Sequence, residues 1–390
     1  MNQIKLRSHQ ATTLNRMSHH KKGQVIVPTG GGKTMCMIED VKREIKQADY
    51  RRTFVVVAPR ILLAQQLCEE FLEQITGVNV LHVHSGETHH TSTTKPEKIK
   101  TFCIYPLHLH TIIFTTYHSL HRIQEADIDV DSIYFDEAHN STAKNFFPSV
   151  EHYSAEAKRC YFFTATPKHS LTINKVGMND AYVYGKVIVN IPAPKLVKEG
   201  YILPPKMIVK TINVTEEQVN ECQHIIDTID EISVKKVLIC ARSTKQIIKL
   251  IDQTNFTQEL ASRDYSCMYI TAKTGAYIDG KKVDRDTFFD TLNTWGKDPD
   301  KRFVVLHHSI LSEGINVKGL EAALFLRNMD VIGLSQTIGR VIRTGDNNKK
   351  YGLIVVPTWD KVGISTSKRL SGVVDTVFNR GEVAISKVRK

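Results

Sequence analysis

The sequence predicts an α/β protein made of two tandem domains, each built on a mainly parallel β-sheet with covering helices. Three observations support this prediction. The chain has 390 residues, which is too long for one ordinary hydrophobic core. Short apolar runs alternate with stretches of helical spacing, as they do in βαβ units. The alternation stops over residues 186–206, where four prolines cluster, and then starts again.

The first domain is predicted over residues 1–200. Residues 53–58 form a continuous apolar run, typical of a strand that is buried on both faces. Ile38, Val41 and Ile45 recur at helical spacing. Residues 86–106 are polar and interrupt the alternation, so we expect a surface excursion there. Strands are predicted at 24–27, 53–58, 111–114, 132–135 and 160–163, and helices at 33–47 and 61–75.

The second domain is predicted over residues 201–360. Thr215–Gln218 has the pattern of a capping box that opens a helix. Residues 361–390 hold seven basic and two acidic side chains and are predicted to form a basic C-terminal tail. Such a tail would add phosphate affinity or only solubility. Strands are predicted at 207–212, 237–240, 303–306, 322–326 and 353–356.

Composition excludes several classes of protein. With 41% hydrophobic and 24% charged residues, the chain has the balance of a globular domain. It contains no apolar run long enough for a membrane span and no apolar signal core at its N-terminus. We therefore expect no membrane partner and no secretion, but a cytoplasmic protein, or one of the nucleus or host cytoplasm if it is viral. The net charge of +11 suits a polyanionic partner.

The cysteines and histidines predict no metal centre. Seven cysteines are scattered without a C-x-x-C pair, which favours buried small side chains in a reducing compartment. His82, His84, His89 and His90 lie close in sequence but lack ligand spacing with carboxylates or cysteines. We expect these histidines to be solvated or packed in a loop.

Val27–Thr34 is the strongest chemical signal. It reads V-P-T-G-G-G-K-T between a predicted strand and a predicted helix. Glycines let the backbone turn its N–H groups toward phosphate oxygens, and the helix N-terminus adds a positive dipole end. Lys33 is predicted to reach the β- and γ-phosphates, and Thr34 to hold Mg²⁺.

An acidic pair follows the predicted strand at 132–135. A carboxylate at the carboxyl end of a buried strand lies where α/β sheets bind ligands. Asp136 is predicted to hold Mg²⁺, and Glu137 to orient and deprotonate the attacking water. The alternative for such a short motif by itself is an acidic loop before a helix.

Two arginines in the second domain, Arg340 and Arg343, are three residues apart. A helix over Gln336–Arg343 would put both on one face. Two guanidinium groups that face a phosphate site would stabilise charge developing on the γ-phosphate. The alternative is a solvated basic helix face.

Together these residues resemble the helicase core of superfamily 2, with its motifs in their usual chain order. The DEAH spelling at Asp136–His139 and the P-T-G-G-G-K-T loop look similar to restriction-type translocases and phage recombination helicases. The resemblance implies two RecA-like domains with ATP in the cleft between them. The matching segments are Leu6–Gln10, Val27–Thr34, Ala58–Arg60, Thr115–Tyr117, Asp136–His139, Thr164–Thr166, Cys240–Ser243, Ser312–Val317 and Gln336–Arg343.

The resemblance also implies roles for individual residues. Gln10 would contact adenine, and Asn316 would contact the ribose, although Asp is the common residue at that position. Val27 replaces the small residue that usually opens the phosphate loop, outside the phosphate cradle itself. The residues implied in catalysis are Lys33, Glu137, Gln336, Arg340 and Arg343. Those implied in ATP binding are Gln10, Thr29, Gly30, Gly31, Gly32, Lys33, Thr34 and Asn316, with Thr34 and Asp136 on Mg²⁺. Those implied in nucleic-acid contact are Arg60, Thr115, Thr116, Ser243 and Ser312.

The predicted function is an ATP-dependent helicase or translocase that acts on nucleic acid, with DNA favoured over RNA. The compact core suggests a phage, viral or organellar type of protein, or a module recruited by partners. An RNA helicase and an ATP-gated clamp with little motor activity remain the alternatives. Tyr117, Tyr201 and Trp295 could stack on bases or belong to the core. The sequence does not predict polarity or oligomeric state.

Overall fold

The computed structural model describes residues 5–86, 88–105, 109–172, 174–212, 220–271, 273–308, 319–344, 349–358 and 363–388. The chain divides into two compact units. The first comprises Met1–Pro192 together with Val383–Lys390, and the second comprises Ala193–Glu382. The division falls inside the proline-containing segment that the sequence singles out.

The first unit is built on a seven-stranded parallel sheet with strand order β3-β4-β2-β5-β6-β1-β8. Its strands are β1 (Lys22–Ile26), β2 (Thr53–Ala58), β3 (Val78–Val83), β4 (His110–Thr116), β5 (Ser132–Phe135), β6 (Arg159–Thr164) and β8 (Val187–Asn190). Its helices are α1 (Ser8–His19), α2 (Lys33–Lys46), α3 (Ile61–Leu72), α4 (Pro96–Ile104), α5 (Leu120–Glu125), α6 (Phe147–Glu156) and α7 (Ala181–Tyr184). A separate two-stranded parallel sheet pairs β7 (Lys168–His169) with β17 (Ser386–Lys387).

Strand β2 lies inside the first sheet, between β4 and β5, and every one of its residues is buried. Position on an interior strand with helices over both faces explains its uninterrupted apolar run. Because all seven strands are parallel, their carboxyl ends meet at one edge. The segments that follow β1, β2, β4, β5 and β6 therefore emerge together, and they contain most of the motifs predicted for this domain.

The second unit is built on an eight-stranded sheet with strand order β13-β12-β11-β14-β10-β15-β16-β9. The strands are parallel except for the antiparallel pairings of β12 with β11 and β13. They are β9 (Pro205–Thr211), β10 (Lys236–Cys240), β11 (Ser266–Thr271), β12 (Gly275–Ile278), β13 (Lys281–Val283), β14 (Phe303–His307), β15 (Ala322–Phe325) and β16 (Gly352–Thr358). The helices are α8 (Ala193–Lys198), α9 (Glu221–Ile232), α10 (Thr244–Gln253), α11 (Phe256–Ala261), α12 (Arg285–Lys297), α13 (Val331–Val341) and α14 (Ile364–Val373), which continues as a π-helix over Val374–Asn379.

Two expectations about local structure differ from what is observed. The expected excursion at 86–106 contains α4, which opens with Pro96 and buries Ile99 and Cys103 against the first core. These two residues are four positions apart, so one helix face reaches the core although the segment is polar on average. The predicted tail is also folded where it is described: α14 buries Leu370 and Val373, and β17 adds to β7. The capping box at residues 215–218 lies outside the described residues.

The cysteines, the candidate metal ligands and the helix lengths of the described residues bear on the sequence expectations about metal sites and membranes. All seven cysteines are free and buried. Within the described ranges, His, Cys, Asp and Glu form no group of three that could hold a metal ion. No helix in the described part of the chain is long and apolar enough to span a membrane.

Candidate nucleotide-binding site

The predicted phosphate loop joins β1 to α2 at the carboxyl edge of the first sheet. Gly30 and Gly32 adopt left-handed backbone conformations, with φ of 84° and 81°. A Cβ atom on Gly32 would lie 2.5 Å from the side-chain nitrogen of Gln10. The backbone angle therefore favours glycine at position 32, whereas the end of the flexible Gln10 side chain could shift to make room for a Cβ atom. Lys33 and Thr34 are the first two residues of α2, as predicted.

Helix α1 binds the phosphate loop through its first turn. Side-chain nitrogens of Arg7, His9 and Gln10 lie 3.4, 2.6 and 3.3 Å from the carbonyl oxygens of residues 30, 31 and 32, respectively. Gln10 also accepts a hydrogen bond from the Arg7 backbone N–H at 2.9 Å. Gln10 thus lies at the nucleotide site, although its carboxamide is used by the loop. Its contact with adenine stays a prediction.

The acidic pair lies directly after β5, beside the phosphate loop. Glu137 Oε1 is 3.6 Å from Lys33 Nζ, so the two residues predicted for catalysis in this unit form an ion pair. Glu137 has φ 45° and ψ 53°, a left-handed conformation that is uncommon for a non-glycine residue. Asn140 stabilises this turn, because its side-chain nitrogen donates to the Glu137 carbonyl at 3.0 Å.

Burial and a neighbouring negative charge perturb the Asp136 carboxyl. Desolvation and the Glu137 carboxylate raise the pKa of Asp136 from 3.8 to about 7, against the opposing effect of Lys33. A carboxylate in this setting gains from a cation placed beside it, since the cation would offset both causes of the shift.

His139 connects the acidic pair to the end of β6. Its Nδ1 is 3.5 Å from Glu137 Oε2 and 3.2 Å from Thr164 Oγ1. Thr164 Oγ1 also accepts the Thr166 backbone N–H at 3.1 Å. The predicted segments Asp136–His139 and Thr164–Thr166 are therefore linked by a hydrogen bond between the side chains of His139 and Thr164.

The residues around the loop fit a nucleotide with Mg²⁺. Thr29 Oγ1 is buried and has no hydrogen-bond partner among the described residues, which suits a ligand oxygen at the loop. The glycines at positive φ and the start of α2 are features of phosphate sites. Thr34 and Asp136 supply hydroxyl and carboxylate oxygens, the donors that Mg²⁺ prefers.

In the second unit, the two predicted arginines differ in their placement. Arg340 is in the last turn of α13, is buried, and donates to the Gln336 carbonyl at 3.1 Å. Arg343 is not on that helix, because α13 ends at Val341. Arg343 instead forms an isolated antiparallel bridge with Ile202. The expectation that one helix face carries both arginines is therefore wrong. The backbone pairing of Arg343 with Ile202 is incompatible with a helix that continues to residue 343.

His307 and Cys240 lie near Arg340, and sequence reasoning did not select either as a functional residue. They are register partners at the ends of β14 and β10, with His307 Nε2 3.4 Å from Cys240 Sγ. Burial first, and then the positive charges of Arg340 and Arg327, hold the pKa of His307 well below its usual value. A neutral imidazole therefore lies near Arg340, the arginine predicted to stabilise charge that develops on the γ-phosphate. The sequence signal that could have identified His307 is its position directly after the predicted strand at 303–306.

The residues predicted for nucleic-acid contact occupy unlike environments. Arg60 is exposed at the start of α3, and Ser243 caps α10 by accepting the Gln246 N–H at 3.1 Å. Thr115 is fully buried and donates to the Val83 carbonyl at 2.8 Å, and Thr116 is nearly buried. In this conformation the Thr115 hydroxyl points into the core, so a strand contact would need its side chain to turn.

Four other candidates have different outcomes. Tyr117 belongs to the core, with its ring buried. Trp295 is partly buried beneath Lys301 Nζ, which lies 4.1 Å from the ring centroid. Ser312 and Asn316 lie outside the described residues, so their predicted contacts stay predictions.

Comparison with known proteins relates the chain to restriction enzymes. The family model described as the res subunit of type III restriction enzymes matches residues 3–169. A search of curated proteins finds no significant match. Among solved structures, the type ISP restriction-modification enzyme LlaBIII bound to DNA matches with a TM-score of 0.76 at 18% identity, over 99% of this chain and 31% of that one.

Two further structures are similar. A nuclease-deletion mutant of the type ISP enzyme LlaGI, in complex with a DNA substrate mimic, has a TM-score of 0.70 at 20% identity and covers 98% and 30% of the two chains. A fragment of a putative HsdR subunit of a type I restriction enzyme from Vibrio vulnificus YJ016 has a TM-score of 0.64 at 14% identity and covers 98% and 68%. The chain thus spans about a third of the two type ISP enzymes. These likenesses confirm the predicted α/β fold, which is that of RecA-like helicase domains.

Proposed function

We propose that this chain is an ATP-hydrolysing motor that moves along nucleic acid. One observation carries the proposal: the first sheet brings Lys33 of the phosphate loop within 3.6 Å of Glu137, directly beside the buried Asp136. The pairing of a phosphate-loop lysine with a strand-end acidic pair is the arrangement that phosphoryl transfer to water requires.

Each residue of this site has a specific task in the proposal. The loop N–H groups and Lys33 bind the phosphates, and Glu137 orients the attacking water and accepts its proton. Mg²⁺, when held by Thr34 and Asp136, would neutralise phosphate charge. His139 and Lys33, on either side of Glu137, hold its carboxylate in place.

Arg340, with Gln336 and Arg343, is proposed to stabilise the negative charge that develops during hydrolysis. Its burial supports this role, because a guanidinium group shielded from water acts more strongly on a nearby charge. Cycles of ATP binding and hydrolysis would move the strand. The adenine contact of Gln10, the ribose contact of Asn316 and the membership of the DEAH-box subtype are parts of the same proposal.

DNA is the proposed partner. Two of the similar structures are complexes with DNA or with a DNA substrate mimic. The net charge of +11 supports a phosphate-rich partner of either kind. Arg60 and Ser243 would contact the backbone, together with Thr115, Thr116 and Ser312. We propose translocation as the basic activity, with strand separation as its consequence on suitable substrates.

ATP hydrolysis measured with single-stranded DNA, duplex DNA, forked DNA and RNA tests the proposal. A DNA motor is stimulated most by one of the DNA forms. Stronger stimulation by RNA would favour an RNA helicase. Tight ATP-dependent binding to strands without sustained turnover would favour a clamp.

A further inference from the structure

Tyr117 connects three strand ends of the first sheet. It follows β4, and its backbone N–H donates to the carbonyl of Ala58, the last residue of β2, at 3.1 Å. Its hydroxyl donates to the carbonyl of Asp136, just after β5, at 2.8 Å. The ring is 2% exposed and stacks with Phe135 and Phe146, each at a centroid distance of 5.9 Å. One residue therefore links the β2 and β4 ends to the acidic pair, through its backbone N–H on one side and its side-chain hydroxyl on the other.

The Asp136 carbonyl is a sensitive place for such a contact. It precedes Glu137, whose left-handed backbone is strained for a non-glycine residue and needs support from its surroundings. The two carbonyls at this turn are each held by a side chain, Asp136 by Tyr117 and Glu137 by Asn140.

The other side of the same turn faces solvent. His118, the next residue, is exposed, while Thr116 and Ser119 are joined by a hydroxyl hydrogen bond of 3.3 Å. The turn over residues 116–119 lies beside the β2 end, which leads to the exposed Arg60. A nucleic-acid backbone bound at this edge would contact the solvent-exposed side of the 116–119 turn. Tyr117 contacts the acidic pair from the buried side of the same turn.

We propose that Tyr117 is a positioning residue, which sets the orientation of Glu137 through the Asp136 carbonyl and passes strand contact at the 116–119 turn to the acidic pair. The inference rests on the proposed function, because it assigns a regulator to the same site. It predicts that the Tyr117 hydroxyl matters for turnover on DNA more than for binding either ligand.

Tyr117→Phe removes this hydroxyl and keeps the ring. We expect kcat at saturating DNA to fall about tenfold, the factor that one lost hydrogen bond is worth. KM for ATP and the Kd for DNA should stay within about twofold of wild type, since no ligand contact is removed. Asn140→Ala releases the neighbouring Glu137 carbonyl and should lower kcat in the same way.

Tyr134→Phe is the matched control. Tyr134 is also fully buried, and its hydroxyl donates to Asp40 at 2.8 Å, away from the acidic pair. This variant should lower Tm and leave kcat unchanged. The inference is overturned if Tyr117→Phe behaves like this control, with lower Tm and normal DNA-stimulated kcat, or if its loss appears in KM or Kd instead.

Glu137→Gln in the same assay distinguishes failure of the positioning role of Tyr117 from failure of the proposed hydrolytic site. If Glu137→Gln loses turnover and Tyr117→Phe does not, only the positioning role is wrong. If Glu137→Gln itself turns over normally, the proposed hydrolytic site is wrong, and the role of Tyr117 falls with it.

Discussion

Replacing Glu137 with glutamine tests the proposed water-activating group most directly. The change keeps the size and backbone of the side chain, but it removes the carboxylate that lies 3.6 Å from Lys33 Nζ and 3.5 Å from His139 Nδ1. We expect kcat to fall by about 10²- to 10⁴-fold, the usual contribution of a positioned general base. Nucleotide binding should persist, because Lys33 and Asp136 are unchanged.

The structure predicts a second effect of this variant, on stability. Because burial and Glu137 raise the pKa of Asp136 from 3.8 to about 7, ionising Asp136 in the folded protein costs free energy at neutral pH and above. Below its unfolded pKa the carboxyl is protonated in both states and this cost is absent. It grows as pH rises through the window between 3.8 and about 7.

Glu137 is the second cause of that shift, after burial. Removing its charge should therefore recover part of the ionisation cost, and Lys33 would remain as a counter-charge for Asp136. The nucleotide-free variant should consequently have a higher Tm than wild type above pH 7. The difference should shrink toward pH 4, where Asp136 is protonated in the folded state.

Phosphate release at saturating ATP gives kcat, a fluorescent nucleotide gives Kd, and thermal unfolding across pH gives the stability effect. Glu39→Gln is the matched control, because it makes the same chemical change on α2, where Glu39 pairs with Lys42 at 2.6 Å. A kcat within about threefold of wild type would refute the role of Glu137. A fall in nucleotide affinity that accounts for the lost turnover would refute it equally.

Lys33→Ala should weaken ATP binding and turnover together, since it removes the cation of the phosphate loop; a titration with fluorescent nucleotide that shows wild-type affinity would contradict this. Arg340→Ala should lower kcat by about 10³-fold or more, the scale of arginine fingers, and Arg343→Ala is expected to do the same. Unchanged DNA affinity without ATP is the check, and a collapse of that affinity with intact hydrolysis would mean that these arginines grip the strand. His82 is fully buried, and burial, followed by the charges of His84 and His90, lowers its pKa to about 4. The unfolded chain protonates His82 at a higher pH than the folded protein does, so acidification from pH 6.5 to 4 should lower the free energy of unfolding by about 3 kcal/mol. Thermal unfolding of His82→Phe should therefore show a smaller loss of Tm on acidification than wild type. An identical loss of Tm would contradict this assignment.

The sequence by itself determined most of the sheet architecture and the chemistry of the phosphate loop. Interior strands such as Thr53–Ala58 must be apolar on both faces, so their composition alone identifies them. The phosphate loop could also be predicted from the sequence, because glycine is the residue that most easily adopts the left-handed backbone angle at position 32. Constraints of this kind act within a few residues and are therefore visible in the chain itself.

Only the tertiary structure decided which side chains of the motifs face the site. The Thr115 hydroxyl points to Val83 and the Tyr117 hydroxyl to Asp136, although both residues stand in the same motif. Arg343 leaves the helix because its backbone pairs with Ile202, a residue far away in sequence. The left-handed turn at Glu137 persists because side chains from separate elements hold it. These outcomes depend on contacts between distant segments, whose free energies outweigh local preference and leave no trace in local spacing.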